Sequence, residues 1–214
     1  MSSPRRLASG GLIPTPSARF TAPIDGPLRD GPDVSWLPHC RVGDDQGQEG
    51  ACGIFAFASW AEIMHARPIT DTECVAVYHQ ALERLDRPQG SGLTFAEAFA
   101  AAHRAGWLPG AKRIEAVPDL DEIVTQPILA GYAITPAWDN VSPEGCLDHR
   151  AAASPVRGYH AVDIVAHGAI GPDPEAGARV YIENSWGLDW GWKGLGVMAD
   201  RLHTELIGEL WIIV

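Results

Sequence analysis

The sequence predicts an α+β fold with two lobes, in which a helical first half and a β-rich second half are separated by a cleft. Three observations support this prediction. A nearly continuous apolar segment follows Cys52, amphipathic helical patterns come next, and short strand-like segments dominate after Trp107. With 214 residues, of which 46% are hydrophobic, the chain is long enough to bury a sizeable core.

The first half contains three predicted helices. Residues 52–66 are apolar on every side and predict a buried central helix, because a surface helix would carry a polar face. Residues 71–85 predict a second helix with Asp71 as its N-cap. A third helix begins at Thr94, which has the spacing of a capping box to Glu97.

The second half is mainly β-sheet. Predicted strands occupy residues 128–134, 160–166, 180–184 and 209–214, and a short helix is predicted at residues 119–124. Residues 137–155 have no sustained pattern and predict a long irregular connection. Residues 1–32 are rich in Pro, Gly, Ser and Arg and are interpreted as an N-terminal extension or linker, so that residues 33–214 form the predicted folded domain.

The formal charge of the chain is −11, from 16 Lys and Arg residues against 27 Asp and Glu residues. In the absence of a basic cluster, this charge argues against a nucleic-acid partner. No apolar run reaches the roughly 20 residues that a membrane span needs, and the N-terminus lacks the apolar core of a secretory signal. The expectation is a cytoplasmic protein without membrane contact, and export by a signal-less secretion route is the alternative.

The four cysteines include no Cys-x-x-Cys pair and lack the spacing of a zinc site, so no structural metal is expected. If Cys52 is a free nucleophile, three thiols remain, which cannot all pair within the chain. This number is typical of a reducing compartment, although one disulfide among Cys40, Cys74 and Cys146 is still permitted.

Three separated residues have the chemistry that acyl transfer through a thioester requires. Cys52 opens the central helix, where the helix dipole and free backbone N–H groups favour the thiolate. His160 opens a strand and would act as general acid and base, while the side-chain oxygen of Asn184 would orient its ring. Taken singly, a Cys or a His in such a place is more often structural. The occurrence of all three in one chain favours the catalytic interpretation.

Two further residues fit the same site. Gln46 lies six residues before Cys52, across a turn with two glycines, and its amide can form an oxyanion hole together with the backbone N–H of Cys52. Trp186 lies two residues after Asn184, where its ring can shield the hydrogen bond between His160 and Asn184 from water.

Four segments together resemble the papain family of cysteine peptidases: Asp-Gln-Gly at residues 45–47, Gly-Ala-Cys at residues 50–52, His-Ala-Val at residues 160–162, and Asn-Ser-Trp-Gly at residues 184–187. The resemblance implies a papain-like fold, with a helical left lobe that contains the Cys-bearing central helix and a β-sheet right lobe. It also implies that the reaction needs no metal or organic cofactor.

The resemblance also implies a role for each matching residue. The nucleophile is Cys52, the general acid and base is His160, the orienting residue is Asn184, the oxyanion donor is Gln46, and the residues that contact substrate are Gly92 and Trp186.

Some features depart from the family pattern. Glu49 stands where secreted members have a disulfide-forming cysteine, which agrees with a reducing compartment. Gly53 replaces an aromatic residue after the nucleophile and predicts a more open wall on the leaving-group side. Residues 1–32 are too few for the family's inhibitory pro-domain. Disorder or simple surface packing is favoured for them over a short segment that blocks the cleft or an arm that binds a partner.

These inferences predict a cysteine peptidase that hydrolyses peptide or isopeptide bonds of a peptide or protein substrate through a thioester acyl-enzyme. An amidase or acyl transferase would use the same residues with a different acceptor. A catalytically idle protein that keeps the cleft to bind a peptide or partner is the third hypothesis.

Overall fold

The computed structural model describes residues 12–13, 34–40, 43–147, 154–168 and 178–214. The helices within these residues are α1 (Cys52–His65), α2 (Asp71–Arg84), α3 (Phe95–Arg104) and α4 (Asp200–Leu206). The strands are β1 (Val34–Ser35), β2 (Ile114–Ala116), β3 (Ile128–Ile134), β4 (Gly158–Gly168), β5 (Arg179–Glu183), β6 (Leu195–Ala199) and β7 (Ile207–Ile213). Short 3-10 helices cover Leu37–His39, Asp121–Val124 and Pro136–Asn140. The predicted α+β class is confirmed.

The strands form an antiparallel sheet in the order β2-β7-β3-β4-β5-β6, and β1 pairs with the far end of β4. The register places Tyr132 of β3 opposite His160 of β4. Because successive side chains of a strand point to opposite faces, His160 and Tyr132 share one face while Ala161 lies on the other. The side chains of His160 and Ala161 therefore lie on opposite faces of the sheet.

The central helix α1 joins the two lobes. Residues 52–63 are all buried, as the sequence predicts. The helix packs against β4 on one side and against α2 and α3 on the other, and these contacts form the first hydrophobic core. A second core covers the opposite face of the sheet and is rich in tryptophan. No helix in the described part of the chain is long and apolar enough to cross a membrane.

The starts of α2 and α3 are set by capping boxes. Thr94 accepts the backbone N–H of Glu97, and the Glu97 carboxylate accepts the backbone N–H of Thr94, as the sequence predicts. The prediction that Asp71 caps α2 is wrong by one residue. Thr70 is the cap, because it has the extended backbone that a cap requires and forms a second capping box with Glu73.

Each of the four predicted strands is present to within two residues, as β3, β4, β5 and β7. The predicted short helix is the 3-10 helix Asp121–Val124. The sequence did not predict β1, β2, β6 or α4. The predicted irregular connection is interrupted by the 3-10 helix Pro136–Asn140, and residues 148–153 of it lie outside the described residues. The predicted extension of residues 1–32 also lies outside them, apart from Leu12 and Ile13.

Replacing Thr70 with alanine is expected to lower the free energy of unfolding by about 1 kcal/mol, because the backbone N–H of Glu73 loses its acceptor. Urea unfolding of the two proteins measures the change. Thr72→Ala is the matched control, because Thr72 is exposed on the same helix and should change stability by less than about 0.5 kcal/mol. Equal losses in the two variants would contradict the assignment of the cap.

Candidate active site

The candidate nucleophile lies where the helical lobe meets the sheet. Cys52 is the first residue of α1, so its backbone N–H has no acceptor within the helix. Its thiol is fully buried and is hydrogen-bonded by the backbone N–H groups of Ala161 and Gly53. Because Ala161 directly follows His160, these contacts bring the thiol to the start of β4, the strand that carries His160.

A hydrogen bond of 2.7 Å joins Nε2 of His160 to Oδ1 of Asn184. The same Oδ1 accepts the backbone N–H of Ser185 at 2.8 Å. Because a backbone N–H can only donate, this contact identifies the atom as the amide oxygen of Asn184. Nε2 of His160 must then carry the hydrogen and donate it. In the neutral ring, Nδ1 is left as the nitrogen that can accept a proton.

Aromatic side chains enclose the pair formed by His160 and Asn184. The ring of Trp186 lies 4.6 Å from the His160 ring at an interplanar angle of 33°, and its role as a cover stays a prediction. Trp138 is fully buried, meets the His160 ring edge-on at 6.4 Å and stacks on Trp190 at 6.1 Å. The sequence did not indicate Trp138, because it lies in a stretch without a pattern. Exclusion of water by these rings strengthens the hydrogen bond to Asn184.

The amide of Gln46 is held from both ends. Its Nε2 donates to the carbonyl of Glu49 at 2.7 Å, and its Oε1 accepts the hydroxyl of Ser185 at 2.7 Å. The backbone N–H of Gln46 also donates to the carbonyl of Ser185 at 2.9 Å. These bonds attach the predicted oxyanion donor to the residue that follows Asn184. Sequence reasoning missed Ser185, although it lies within the Asn-Ser-Trp-Gly motif.

Burial favours the neutral forms of both Cys52 and His160. Burial raises the pKa of Cys52 to about 11, against the smaller lowering effect of the backbone hydrogen bonds. Burial lowers the pKa of His160 to about 4, and the hydrogen bond to Asn184 only partly offsets this. The sequence predicted a thiolate because of the helix start. A helix N-terminus contributes about 0.3–1 kcal/mol, however, and withdrawing a charge from water costs more.

Two glycines that the sequence singled out have close neighbours. A Cβ at Gly53 would lie 3.1 Å from the Cβ of Ala98, so this glycine lets α1 and α3 pack closely, and the open leaving-group wall stays a prediction. Gly92 is buried, and its carbonyl accepts the guanidinium of Arg87 at 3.2 Å. Its substrate contact stays a prediction, while the neighbouring carbonyl of Leu93 accepts a backbone N–H from another stretch of the chain.

That stretch consists of Leu12 and Ile13, which cross between the two lobes. The backbone N–H of Leu12 donates to the carbonyl of Tyr159 at 3.1 Å, and that of Ile13 donates to the carbonyl of Leu93 at 3.0 Å. Leu12 also forms a parallel bridge with Leu93. Because Tyr159 directly precedes His160, this segment lies beside the candidate catalytic residues.

All four cysteines are free, so the permitted disulfide is not formed in this structure. In the portions of the chain that the structure describes, no group of three or more His, Cys, Asp or Glu side chains could hold a metal ion.

Solved structures of cysteine proteases are similar to this fold. Xylellain, a cysteine protease from Xylella fastidiosa, aligns with 100% of this chain and 98% of its own at 18% identity and a TM-score of 0.69. Digestive procathepsin L2 from Tenebrio molitor larval midgut aligns with 100% of this chain and 81% of its own at 16% identity and a TM-score of 0.60. The ragweed pollen allergen Amb a 11 in its proform aligns with 89% and 60%, at 18% identity and a TM-score of 0.60. No protein-family model and no curated protein matches the chain.

A buried helix that begins at a cysteine and packs on an antiparallel sheet that carries a histidine defines a two-lobed α+β protein with a site at the junction. Together with the likeness to these proteases, this arrangement shows that the chain has the papain-like fold. The resemblance found in residues 45–52, 160–162 and 184–187 is thus confirmed at the level of the fold.

Proposed function

We propose that this protein is a papain-like cysteine peptidase that hydrolyses a peptide or isopeptide bond through a thioester. The observation that carries the proposal is the hydrogen bond from His160 Nε2 to Asn184 Oδ1, because it leaves Nδ1 of the ring free to accept a proton. The position of Cys52 at a helix start next to the strand of His160 supports it. The structures with the same fold are described as cysteine proteases, which also supports it.

In the proposed reaction, Nδ1 of His160 takes the proton of the Cys52 thiol as the sulfur attacks the carbonyl carbon of the substrate. The backbone N–H of Cys52 and the amide of Gln46 stabilise the oxyanion. His160 then gives the proton to the leaving amine, the C–N bond breaks, and the acyl group remains on the sulfur. Water attacks this thioester while His160 takes its proton, and the carboxylic acid and the thiol are released.

A cysteine-directed epoxide made for papain-like clefts tests the proposal on the full chain, with the adduct located by mass spectrometry. Cys146 is exposed, whereas Cys52 is fully buried. Simple accessibility therefore predicts an adduct on Cys146. We expect the adduct on Cys52, because in the proposed reaction His160 takes the proton of this thiol. The adduct is irreversible, so a long incubation reaches completion even where access is slow. Reaction at Cys146 alone would contradict the proposal.

Ser185→Ala is expected to lower kcat for peptide hydrolysis about fivefold with little change in KM. The variant removes one hydrogen bond, worth about 1 kcal/mol, that orients the Gln46 amide toward an oxyanion that exists only in the transition state. Steady-state kinetics on a fluorogenic peptide measures the effect. Ser142→Ala is the control, because it removes a serine hydroxyl that accepts the backbone N–H of Cys146 outside the site. Equal falls in the two variants would show that Gln46 is not oriented by Ser185.

A further inference from the structure

We infer that three buried side chains, Ser59, Asp163 and Glu183, form an inner triad that positions the candidate catalytic residues from one layer deeper in the fold. The inner triad ties the helix of the candidate nucleophile to the two strands that hold the imidazole and its orienting amide. The inference rests on the proposed function, because the residues that it positions are those of the proposed peptidase site.

Each member of the inner triad shares an element of the fold with one part of the site. Ser59 lies on α1, about two helical turns after Cys52. Asp163 lies on β4, the strand of His160. Glu183 is the last residue of β5 and directly precedes the asparagine that orients the imidazole. A shift of any member therefore moves backbone that carries part of the site.

A hydrogen bond joins the inner triad across the interface between α1 and the sheet. Asp163 and Glu183 are directly opposite each other in the antiparallel register of β4 and β5, so their side chains are neighbours on one face. This face packs on α1, where the hydroxyl of Ser59 donates to Oε2 of Glu183 at 2.6 Å. The bond connects the helix of the nucleophile to the strand end before Asn184.

The burial of Asp163 requires an explanation, because buried polar groups normally have a hydrogen-bond partner. Asp163 is fully buried, and within the described residues neither of its oxygens accepts a hydrogen bond. The single hydrogen of the neighbouring Ser59 hydroxyl is already donated to Glu183. Burial, aided by the Glu183 carboxylate, raises the pKa of Asp163 well above its usual value, so that its carboxyl group keeps a proton. Asp163 is therefore a donor, and the facing carboxylate of Glu183 is its acceptor.

Close packing alone does not fix the position of Glu183. A cavity of about 10 Å³ is lined by Ser59, Asp163 and Glu183 of the inner triad and also by Asn184 and Ser185 of the candidate site. A side chain that adjoins empty space has lost contacts that would otherwise hold it. The hydrogen bonds of the inner triad thus hold the strand end in place, from the helix through Ser59 and from the sheet through Asp163.

One substitution distinguishes a positioning role from a merely structural one. Apolar side chains of similar shape often replace buried carboxyl groups with no loss of stability. Asp163→Leu keeps the branched shape of the side chain and removes its donor. A structural role predicts a folded protein with an unchanged site, whereas a positioning role predicts a folded protein with a disturbed site.

The ring N–H of His160 reports the geometry of the site without any substrate. In the full chain with isotope-labelled histidine, the N–H that donates to Asn184 gives a magnetic resonance signal, which His160→Gln assigns by removing it. We expect this hydrogen to exchange with solvent at least about tenfold faster in Asp163→Leu and in Ser59→Ala than in the parent. Asp163→Asn keeps a donor and Ser59→Thr keeps the hydroxyl, so both should stay within about twofold of the parent.

Urea unfolding of the same proteins excludes a general loosening of the fold. Exchange through global unfolding follows the free energy of unfolding, so faster exchange in a variant as stable as the parent is local to the site. If Asp163→Leu is less stable than the parent, the comparison of Ser59→Ala with Ser59→Thr decides, with urea added until both have the same free energy of unfolding.

Peptide hydrolysis separates the inner triad from the peptidase. We expect kcat to fall about tenfold in Asp163→Leu with KM within about twofold, because a displaced imidazole impairs the transition state more than substrate binding. Exchange at the parent rate in both Asp163→Leu and Ser59→Ala would overturn the inner triad, and so would faster exchange with an unchanged kcat. Faster exchange in proteins none of which hydrolyses peptides would support the inner triad and overturn the peptidase.

Discussion

Replacing Cys52 with alanine is expected to abolish peptide hydrolysis, with a fall in kcat of about 10⁴-fold or more. No thioester can form without the sulfur, and the remaining residues can only bind the substrate. Hydrolysis of a fluorogenic peptide mixture measures the loss. Cys146→Ala is the control and should keep the full rate, since this thiol is exposed and takes no part in the proposed reaction.

The loss should be complete because the nearest hydroxyl on the same helix cannot substitute for the thiol. The hydroxyl of Ser59 donates to the carboxylate of Glu183 at 2.6 Å and lies two helical turns from the N-terminus of α1. Hydrolysis that survives in Cys52→Ala would therefore assign catalysis to residues outside this site. Peptide binding by both proteins without hydrolysis by either would favour the idle binding protein.

Local sequence patterns were sufficient to predict a helix or a cap where the residues of the segment itself determine that structure. The helix α1 was predicted because residues 52–63 are mostly apolar and the apolar ones lie on every face, so that burial on every face is what they require. The cap of α3 was predicted because Thr94 and Glu97 bond to each other within one turn. The cap of α2 was misplaced because Asp71 and Thr70 are both good caps, and only the backbone conformation distinguishes them.

The site was predicted where its residues lie in recognisable motifs, but not where long-range contacts hold them. Ser185 bonds to Gln46 across 139 positions of the chain, and nothing near either residue reveals that bond. Trp138 packs on His160 from a stretch without periodicity. The burial of Leu12 depends on a pocket built from separate elements, so the composition of residues 1–32 could not indicate it.

The strand β6 was missed for a different reason. Its sequence contains Gly196, and a glycine inside a short apolar run argues against a strand. A Cβ at this position would lie 2.7 Å from the ring of Trp190, so the tryptophan cluster requires the glycine. The local propensity is overridden by packing around the candidate site.

Acidification from pH 7 to pH 5 is expected to weaken the fold through two buried histidines. Burial lowers the pKa of His160 and that of His203 to about 4, whereas an unfolded histidine titrates near a pKa of about 6.5. Between these values the unfolded chain binds protons that the folded chain does not. The stabilisation is therefore complete above pH 6.5 and is lost as the pH falls toward 4. At pH 5 the stabilisation contributed by each histidine is about 2 kcal/mol smaller than at neutral pH.

One buried carboxyl group, that of Asp163, stabilises the fold as the pH falls, opposite to the effect of the two histidines. Asp163 is fully buried on β4 opposite Glu183 of β5, and burial, aided by the nearby Glu183 carboxylate, raises the pKa of Asp163 well above its usual value. The folded chain then holds a proton that the unfolded chain releases, so the contribution of Asp163 to stability grows as the pH falls. The free energy of unfolding therefore falls less on acidification than the two histidines alone would predict. A comparison of a histidine variant with the parent isolates the contribution of one histidine.

His203→Gln provides that comparison. His203 is buried, and its ring nitrogen Nδ1 hydrogen-bonds the hydroxyl of Tyr132, a contact that a glutamine amide can replace without titrating. The loss of unfolding free energy between pH 7 and pH 5, measured by urea unfolding, should be smaller by about 2 kcal/mol in this variant than in the parent. His103→Gln, at an exposed position of α3, should leave the loss unchanged. If His203→Gln and the parent show the same pH dependence, burial does not hold His203 neutral.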